Sequence, residues 1–146
     1  MNRPGLLAIA PLLLERLAHD CPSAQGNVFA TADLPGVTEQ SQVTPALHVV
    51  LLDYAPVESV GTETRWEELW CVVAVVKHSA RKNRSAAQQE AAESLLAEVL
   101  KSLSGVWIDL PLGGRERLQV TPGPAPHFTE THGYFPLAFK VLVTTP

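Results

Sequence analysis

The sequence has little cysteine and little charge, and both shortages exclude classes of protein. Its two cysteines, Cys21 and Cys71, lie 50 residues apart without a CxxC partner, which fits neither a zinc-finger spacing nor a disulfide framework. Charged residues make up 18% of the 146 residues, and the formal net charge is −4. An acidic chain has no overall attraction to nucleic acid or anionic lipid. We expect two small buried cysteines in a reducing compartment, with a disulfide between them as the unsupported alternative. The chain is expected to form one apolar domain, residues 1–146.

Sequence motifs of common enzyme sites are also absent. There is no GxSxG, GxxxxGK[ST], HExxH or GxGxxG, and Gly113-Gly114 is typical of a turn. His48 lies in an apolar run, where a neutral core or interface histidine with one hydrogen bond is expected. Asp53 follows the same run and is predicted to form a turn. We therefore predict no catalytic residue, no cofactor and no enzyme activity.

The nearest approach to a metal site is the segment HFTETH, in which His127 and His132 flank Glu130. In an extended segment, side chains five positions apart point to opposite faces. The two imidazoles would then not converge on one zinc ion, which needs several ligands in tetrahedral geometry. We predict an exposed loop and no metal site.

The apolar run at residues 6–14 must be distinguished from a signal peptide. Pro11 interrupts the run, and no small-residue cleavage site follows, because the next positions include Glu15, Arg16, His19 and Asp20. The run is also too short to span a bilayer. We interpret residues 6–18 as the first helix of a cytoplasmic protein, ended by Cys21-Pro22.

The remaining pattern alternates strands with one long helix. Strands are predicted at 27–34, 45–54, 66–77, 106–110, 116–121 and 134–144. A turn is predicted at 34–36, a polar loop or hairpin tip containing Gly61 at 57–65, and a proline-rich connection at 122–126. The strands at 45–54 and 66–77 are apolar on both faces, which is typical of strands covered on both sides.

Residues 85–104 form the clearest helix. Ser85 and Gln88 fit a capping box, and Gly105 stands where a left-handed C-terminal cap is expected. One arc of the helical wheel is apolar and consists of Ala92, Leu95, Leu96, Val99, Leu100 and Leu103. The predicted fold is α+β, with a single mainly antiparallel or mixed sheet and two helices packed on one face. The other face needs a cover, for which another subunit is the obvious candidate.

Two oppositely charged stretches suggest how subunits could meet. The basic residues are Lys77, Arg81, Lys82 and Arg84. They precede a helix N-terminus, where the macrodipole disfavours cations, so helix stability does not explain them. The acidic residues are Glu58, Glu63, Glu67 and Glu68. A solvated loop is the plain alternative, and an acidic partner or a phosphate-rich surface is another. In a head-to-tail ring, the basic stretch of one subunit would face the acidic stretch of the next.

With these elements placed, the chain resembles phage tail terminator (tail-completion) proteins, in particular the small type associated with Mu-like contractile tails. The resemblance is an ordered pattern over most of the chain. It comprises the runs LLAIAPLLLERL, PALHVVLLDY, WCVVAVVKH, SAAQQEAAESLLAEVLKSLSGVW and YFPLAFKVLV. That family has no catalytic residue to carry over.

The resemblance implies a structural virion protein that forms a ring, usually a hexamer. Such a ring stops tail polymerisation, contacts the tail tube and sheath proteins, and provides a surface for the head–tail connector. DNA would pass through its lumen without sequence-specific binding. The protein would be found in the virion tail, and in the bacterial cytoplasm during assembly from an active phage or a prophage. The alternative is a small non-catalytic ligand-binding or protein-binding regulatory domain.

Overall fold

A computed structural model describes residues 7–39, 43–77, 84–110 and 114–146. The helices are α1 (Ile9–Asp20), α2 (Leu34–Glu39) and α3 (Arg84–Leu103), with a short 3-10 turn at Pro22–Ala24. The strands are β1 (Val28–Ala30), β2 (Ala46–Val60), β3 (Glu63–Lys77), β4 (Trp107–Asp109), β5 (Arg115–Arg117), β6 (Gln119–Thr121), β7 (His127–Phe128) and β8 (His132–Thr145).

The main sheet has the strand order β1-β2-β3-β8-β6, and β7 also pairs with β8. The short strand β1 runs parallel to β2, whereas β2, β3, β8, β6 and β7 pair antiparallel. Strands β4 and β5 form a separate two-stranded sheet, in addition to the single sheet that the sequence predicted. The predicted α+β class, with a mainly antiparallel sheet, is confirmed.

One face of the sheet packs against α1 and α3 and forms the larger core. Each strand contributes alternate residues to it, as the two-residue side-chain period requires. Sheet residues include Leu47, Val49, Val72, Phe139 and Val141, and helix residues include Ile9, Leu13, Leu17, Leu95, Val99 and Leu103. The assignment of two helices to one face is therefore confirmed. Of the predicted helix arc, Leu96 is only half-buried and Leu100 is 37% exposed.

The opposite face carries a smaller core, and α2 covers part of it. Val37 of α2 packs with Val50, Cys71 and Val73 of the sheet. The turn predicted at 34–36 is wrong, because these residues begin a helix. The Gly36 amide donates a hydrogen bond to Asp33 Oδ1 (2.7 Å), a side-chain cap that is compatible with proline in a first helical turn. Part of the cover expected from another subunit thus comes from the chain itself.

The hairpin of β2 and β3 is longer than the sequence predicted. Of the two alternatives predicted for residues 57–65, the hairpin tip containing Gly61 is confirmed. Most of the segment is strand, and the turn is confined to Gly61 and Thr62, with Gly61 at φ +61. Pro56 is tolerated because β1 pairs only with Leu47–Val49 of β2. Beyond that point β2 is an edge strand in the described chain, where the missing proline N–H disrupts no ladder.

Helix α3 ends as predicted, at a left-handed glycine, Gly105 (φ +69). The capping box predicted at Ser85 and Gln88 depends on side chains outside the described residues. The segment 122–126 has no helix or strand, as its prolines predicted. Within it, Gly123 approaches β8 so closely that a Cβ at this position would lie 2.6 Å from Ala138 Cβ.

Candidate assembly surfaces

The outer half of the β2–β3 hairpin, residues 53–67, is called the hairpin arm here. Every residue of its first strand, from Asp53 to Val60, is exposed. Val57 and Val60 are 59% and 68% exposed, although both are aliphatic. Tyr54 packs edge-on against the Trp66 ring, with 5.8 Å between ring centroids. The arm therefore offers apolar side chains to solvent on an ordered scaffold, in which β3 also pairs with residues 142–145 of β8.

The arm is also acidic. Asp53, Glu58, Glu63 and Glu67 are exposed on it, and its sequence contains one cation, Arg65. The Arg65 guanidinium forms an ion pair of 2.8 Å with Glu116 of β5. Because that arginine is already paired with a carboxylate outside the arm, the exposed charge of the arm is negative.

Glu68, which the sequence predicted to share the acidic contact surface, does not belong to this exposed acidic group. Its side chain is fully buried, on the same face of β3 as Trp70. Its Oε1 accepts a hydrogen bond from the Trp70 indole N–H at 3.0 Å, and its Oε2 is buried without a hydrogen-bond partner in the described chain. Burial raises the pKa of this carboxyl above its ordinary value. Side chains alternate between the two faces of a strand, so Glu67 is exposed on one face while its neighbour Glu68 is buried on the other.

The basic stretch begins at the other end of the same strand. Lys77 is exposed at the last position of β3, in register with His132 of β8. Arg81 and Lys82 lie outside the described residues, and Arg84 is the first residue of α3, with its side chain outside them too. With about 3.3 Å per strand residue, Glu63 and Lys77 are roughly 45 Å apart. The structure keeps the two ends of this strand far apart within one chain.

An apolar groove lies near the Lys77 end, on the face that carries the smaller core. It has a volume of about 320 Å³, and its wall includes Leu34, Val37, Val73, Ala125, Tyr134 and Pro136. Two of the elements that form this wall were not predicted to do so. Residues 34–36 of α2 were predicted as a turn, and the segment 122–126 only as a connection. The groove is open to solvent, and His127 lies at its edge.

The two histidines of the HFTETH segment lie on one face of a tight hairpin, not on opposite faces. The Thr129 amide donates to the His132 carbonyl (2.9 Å), so the chain reverses between them. Their rings lie 5.7 Å and 6.2 Å from the Tyr134 ring. Across the described ranges, no group of three His, Cys, Asp or Glu side chains could hold a metal ion.

His48 is the core histidine that the sequence predicted. Its Nδ1 lies 2.7 Å from Thr31 Oγ1, and its Nε2 is buried without a hydrogen-bond partner in the described chain. Burial lowers the pKa of His48, so the neutral ring is favoured. Asp53 is not in a turn: it lies at a β-bulge of β2, where its Oδ1 accepts a hydrogen bond from the Tyr54 amide (2.8 Å).

Cys21 and Cys71 are both buried and free. Cys21 belongs to the core beneath α1 and α3, whereas Cys71 belongs to the smaller core on the other face. Burial raises the pKa of each thiol to about 12. The prediction of two small buried residues is confirmed, and neither thiol has the exposed thiolate character of a reactive cysteine.

A second cavity, of about 510 Å³, lies between α1 and β4 and has a mixed polar wall. On that wall Asp20 accepts a hydrogen bond from Ser102 Oγ (2.7 Å) and lies 2.8 Å from His19 Nδ1. The hydrogen bonds from His19 and Ser102 lower the pKa of Asp20. Arg16 donates to the Ser102 carbonyl at 2.9 Å. These mutual hydrogen bonds join α1 to α3.

No helix in the described ranges is long and apolar enough to cross a bilayer.

A family model and a solved structure both match the chain. The family model described as "Phage tail terminator protein" matches residues 4–146. A chain in the structure titled "Virion of native gene transfer agent (GTA) particle" superposes with a TM-score of 0.60 at 15% identity. The match covers 90% of this chain and 91% of that one, and it shows a shared fold. No curated protein sequence matches the chain.

Proposed function

The chain belongs to the phage tail terminator family, and from that premise we propose that it forms a ring, a hexamer, that caps the tail tube. The ring stops tail polymerisation and provides the surface to which the head is joined. The match to the family over residues 4–146 is the observation that carries this proposal. A structural role in the tail follows from family membership, and the proposed ring is the form in which the chain would fulfil it.

The geometry supports head-to-tail contacts between copies. In a ring, each subunit uses two different surfaces, and these surfaces must lie on different sides of the subunit. Glu63 and Lys77 at opposite ends of β3 meet that requirement. We propose that Lys77, together with Arg81, Lys82 and Arg84, faces Glu58, Glu63 and Glu67 of the next subunit. Glu68 is excluded from this contact, because its side chain is buried inside the subunit.

The proposed partners are the proteins of a tail. The ring would contact tube and sheath proteins on one side and the head–tail connector on the other. DNA would pass through the lumen without sequence-specific contacts, and a formal charge of −4 is compatible with a lumen that does not grip it. In this proposal the protein has no catalytic activity and is found in the virion tail, after assembly in the host cytoplasm.

Tail-tube assembly in the presence of the protein tests the proposal. Purified tube protein would be polymerised with and without this chain, and electron microscopy would measure tube length and the ends of the tubes. We expect shorter, uniform tubes with a ring at one end. Unaltered lengths and bare ends would refute termination.

The oligomeric state separates the ring from the alternative of a small regulatory domain. Size-exclusion chromatography with light scattering would be run at rising protein concentration. A mass that approaches six chains supports the hexamer. A strict monomer, both alone and on tubes, would instead favour the binding domain.

A further inference from the structure

The apolar groove cannot be filled by the hairpin arm of its own chain. Val73, in the groove wall, lies ten positions beyond Glu63, where β3 leaves the hairpin turn. At about 3.3 Å per residue, the arm tip and the groove are separated by roughly 33 Å of straight strand. Any arm that reaches the groove must therefore come from a second copy.

Size and polarity match between the two surfaces. Val57 and Val60 at the arm are exposed aliphatic side chains, and the groove wall is mostly apolar. A cavity of about 150 Å³ already accommodates a benzene molecule, so a groove of about 320 Å³ has room for both valines. Their burial would remove two exposed apolar side chains from water, which is favourable at about 25 cal/mol per Å².

The charges around the two surfaces are complementary. The arm presents Glu58 and Glu63 beside its valines, and Lys77 is exposed at the end of β3 that lies nearer the groove. Opposite charges at the rim of a contact speed encounter and fix its orientation. An arm that approached with the valines leading would bring its carboxylates towards that lysine.

The arm is poorly suited to the other common mode of β-strand contact, the addition of a strand to a sheet edge. Pro56 lacks the N–H that a ladder needs, and β2 has irregularities in register at 51–53 and at 56–58. Proline, bulges and charges on an edge strand oppose edge-to-edge pairing. The arm is thus expected to bind through its side chains.

From these observations we propose that the tip of the hairpin arm, with Val57 and Val60, inserts into the apolar groove of the neighbouring subunit in the ring. The inference rests on the proposed ring and specifies its contact. Repeated around the ring, each subunit would donate one arm and receive one.

Cysteine cross-linking tests the contact directly. Val60→Cys at the arm and Ala125→Cys at the groove would be combined in one chain and exposed to a mild oxidant. Both native thiols are buried, so they contribute little background. We expect a ladder of covalent oligomers on non-reducing gels. The matched control combines Val60→Cys with Val120→Cys on β6, a 47% exposed position away from the groove, and should give no ladder.

The oligomeric state, measured on the same preparations by light scattering, separates the two levels of the proposal. Rings without a Val60–Ala125 ladder, or with a ladder only in the control, overturn the groove contact and leave the ring intact. A monomer without a ladder overturns the groove contact and counts against the ring as well. Rings with the expected ladder support both.

A charge placed on the arm gives a second, independent measurement. Val60→Asp would carry a carboxylate into an apolar groove, so it should raise the protein concentration needed for half-assembly about tenfold or more. Val120→Asp is the control with little expected change. Both variants should keep the thermal unfolding temperature of the parent, since both positions are exposed. Equal assembly of the two variants would contradict the inference.

Discussion

The inner and outer halves of the β2–β3 hairpin share one antiparallel ladder but have opposite surroundings. In the inner half, Leu47 belongs to the core beneath the helices, and Val73 belongs to the smaller core on the opposite face. In the outer half, the hairpin arm, aliphatic residues such as Val60 face solvent. Backbone pairing alone therefore does not distinguish a part that stabilises the fold from a part left available for a partner. The difference lies in what covers the strand.

The largest expected effect is on the inner half. Leu47→Ala removes a fully buried side chain and should lower the free energy of unfolding by about 2–5 kcal/mol, because a cavity remains. Val60→Ala in the arm should change it by no more than about 0.5 kcal/mol. Urea unfolding of both variants measures the comparison. Equal losses would show that the arm is part of the folded core.

Glu68, between the two halves, should make stability depend on pH. Its pKa is raised by burial above the ordinary 4.5, so the folded protein binds this proton more tightly than the unfolded chain does. The free energy of unfolding should therefore fall as pH rises above about 4.5 and be unaffected by this group below it. Glu68→Gln keeps an acceptor for the Trp70 indole and removes the ionisation. Its stability relative to the parent should increase with pH.

Glu67→Gln is the matched control for that change, since Glu67 is the exposed neighbour on the same strand. Unfolding would be followed from about pH 4 to about pH 8, the range over which a raised carboxyl pKa has its effect. Glu67→Gln should run parallel to the parent curve. Parallel curves for both variants would mean that Glu68 is not buried as a neutral acid.

A smaller effect is expected where the arm meets the rest of the chain. Arg65→Ala breaks the ion pair with Glu116. The Arg65 side chain is 41% exposed and the Glu116 side chain is 24% exposed. Partly exposed pairs of this kind contribute about 0.2–1 kcal/mol, and salt screens them. Urea unfolding at low and high salt should show a small loss that shrinks as salt is added. A larger, salt-independent loss would assign Arg65 a packing role.

The smallest effect on stability is expected from the proposed interface charges. Glu67→Arg or Arg81→Glu should each weaken assembly and change the free energy of unfolding by no more than about 0.5 kcal/mol. Combined in one chain, the reversed charges would again be complementary, and assembly should recover. Light scattering at matched concentrations would compare the three variants. If the double variant assembles no better than the single ones, the charged contact is wrong.

The core was predictable because a strand buried on both faces has apolar residues at nearly every position. Local spacing in the sequence predicts three of its features: the alternate faces of β3 and β8, the buried side of α3 around Leu95 and Val99, and the left-handed Gly105. The burial of Glu68 could also have been predicted, because alternation places its side chain on the same face of β3 as Trp70. A charged residue is ordinarily expected at the surface, so the sequence prediction placed it there.

The elements that depend on their neighbours were not predictable. Leu34-Pro35-Gly36 has the composition of a turn, and only the Asp33 cap and the packing of Val37 on the sheet make it a helix. The continuation of β2 through Pro56 was not predictable, because an edge position, where proline is tolerated, cannot be recognised in the sequence. The groove arises from α2, β8 and the segment 122–126 together, so no single stretch carries its signal.

The close approach of Gly123 to Ala138 makes the shape of the groove sensitive to substitution at position 123. The wall residues Pro124 and Ala125 follow this glycine directly, and any side chain at position 123 would meet Ala138 Cβ. The groove's width therefore depends on a residue that need never touch its occupant. A single substitution there could retune which partner fits, while every residue in contact with the partner stays the same.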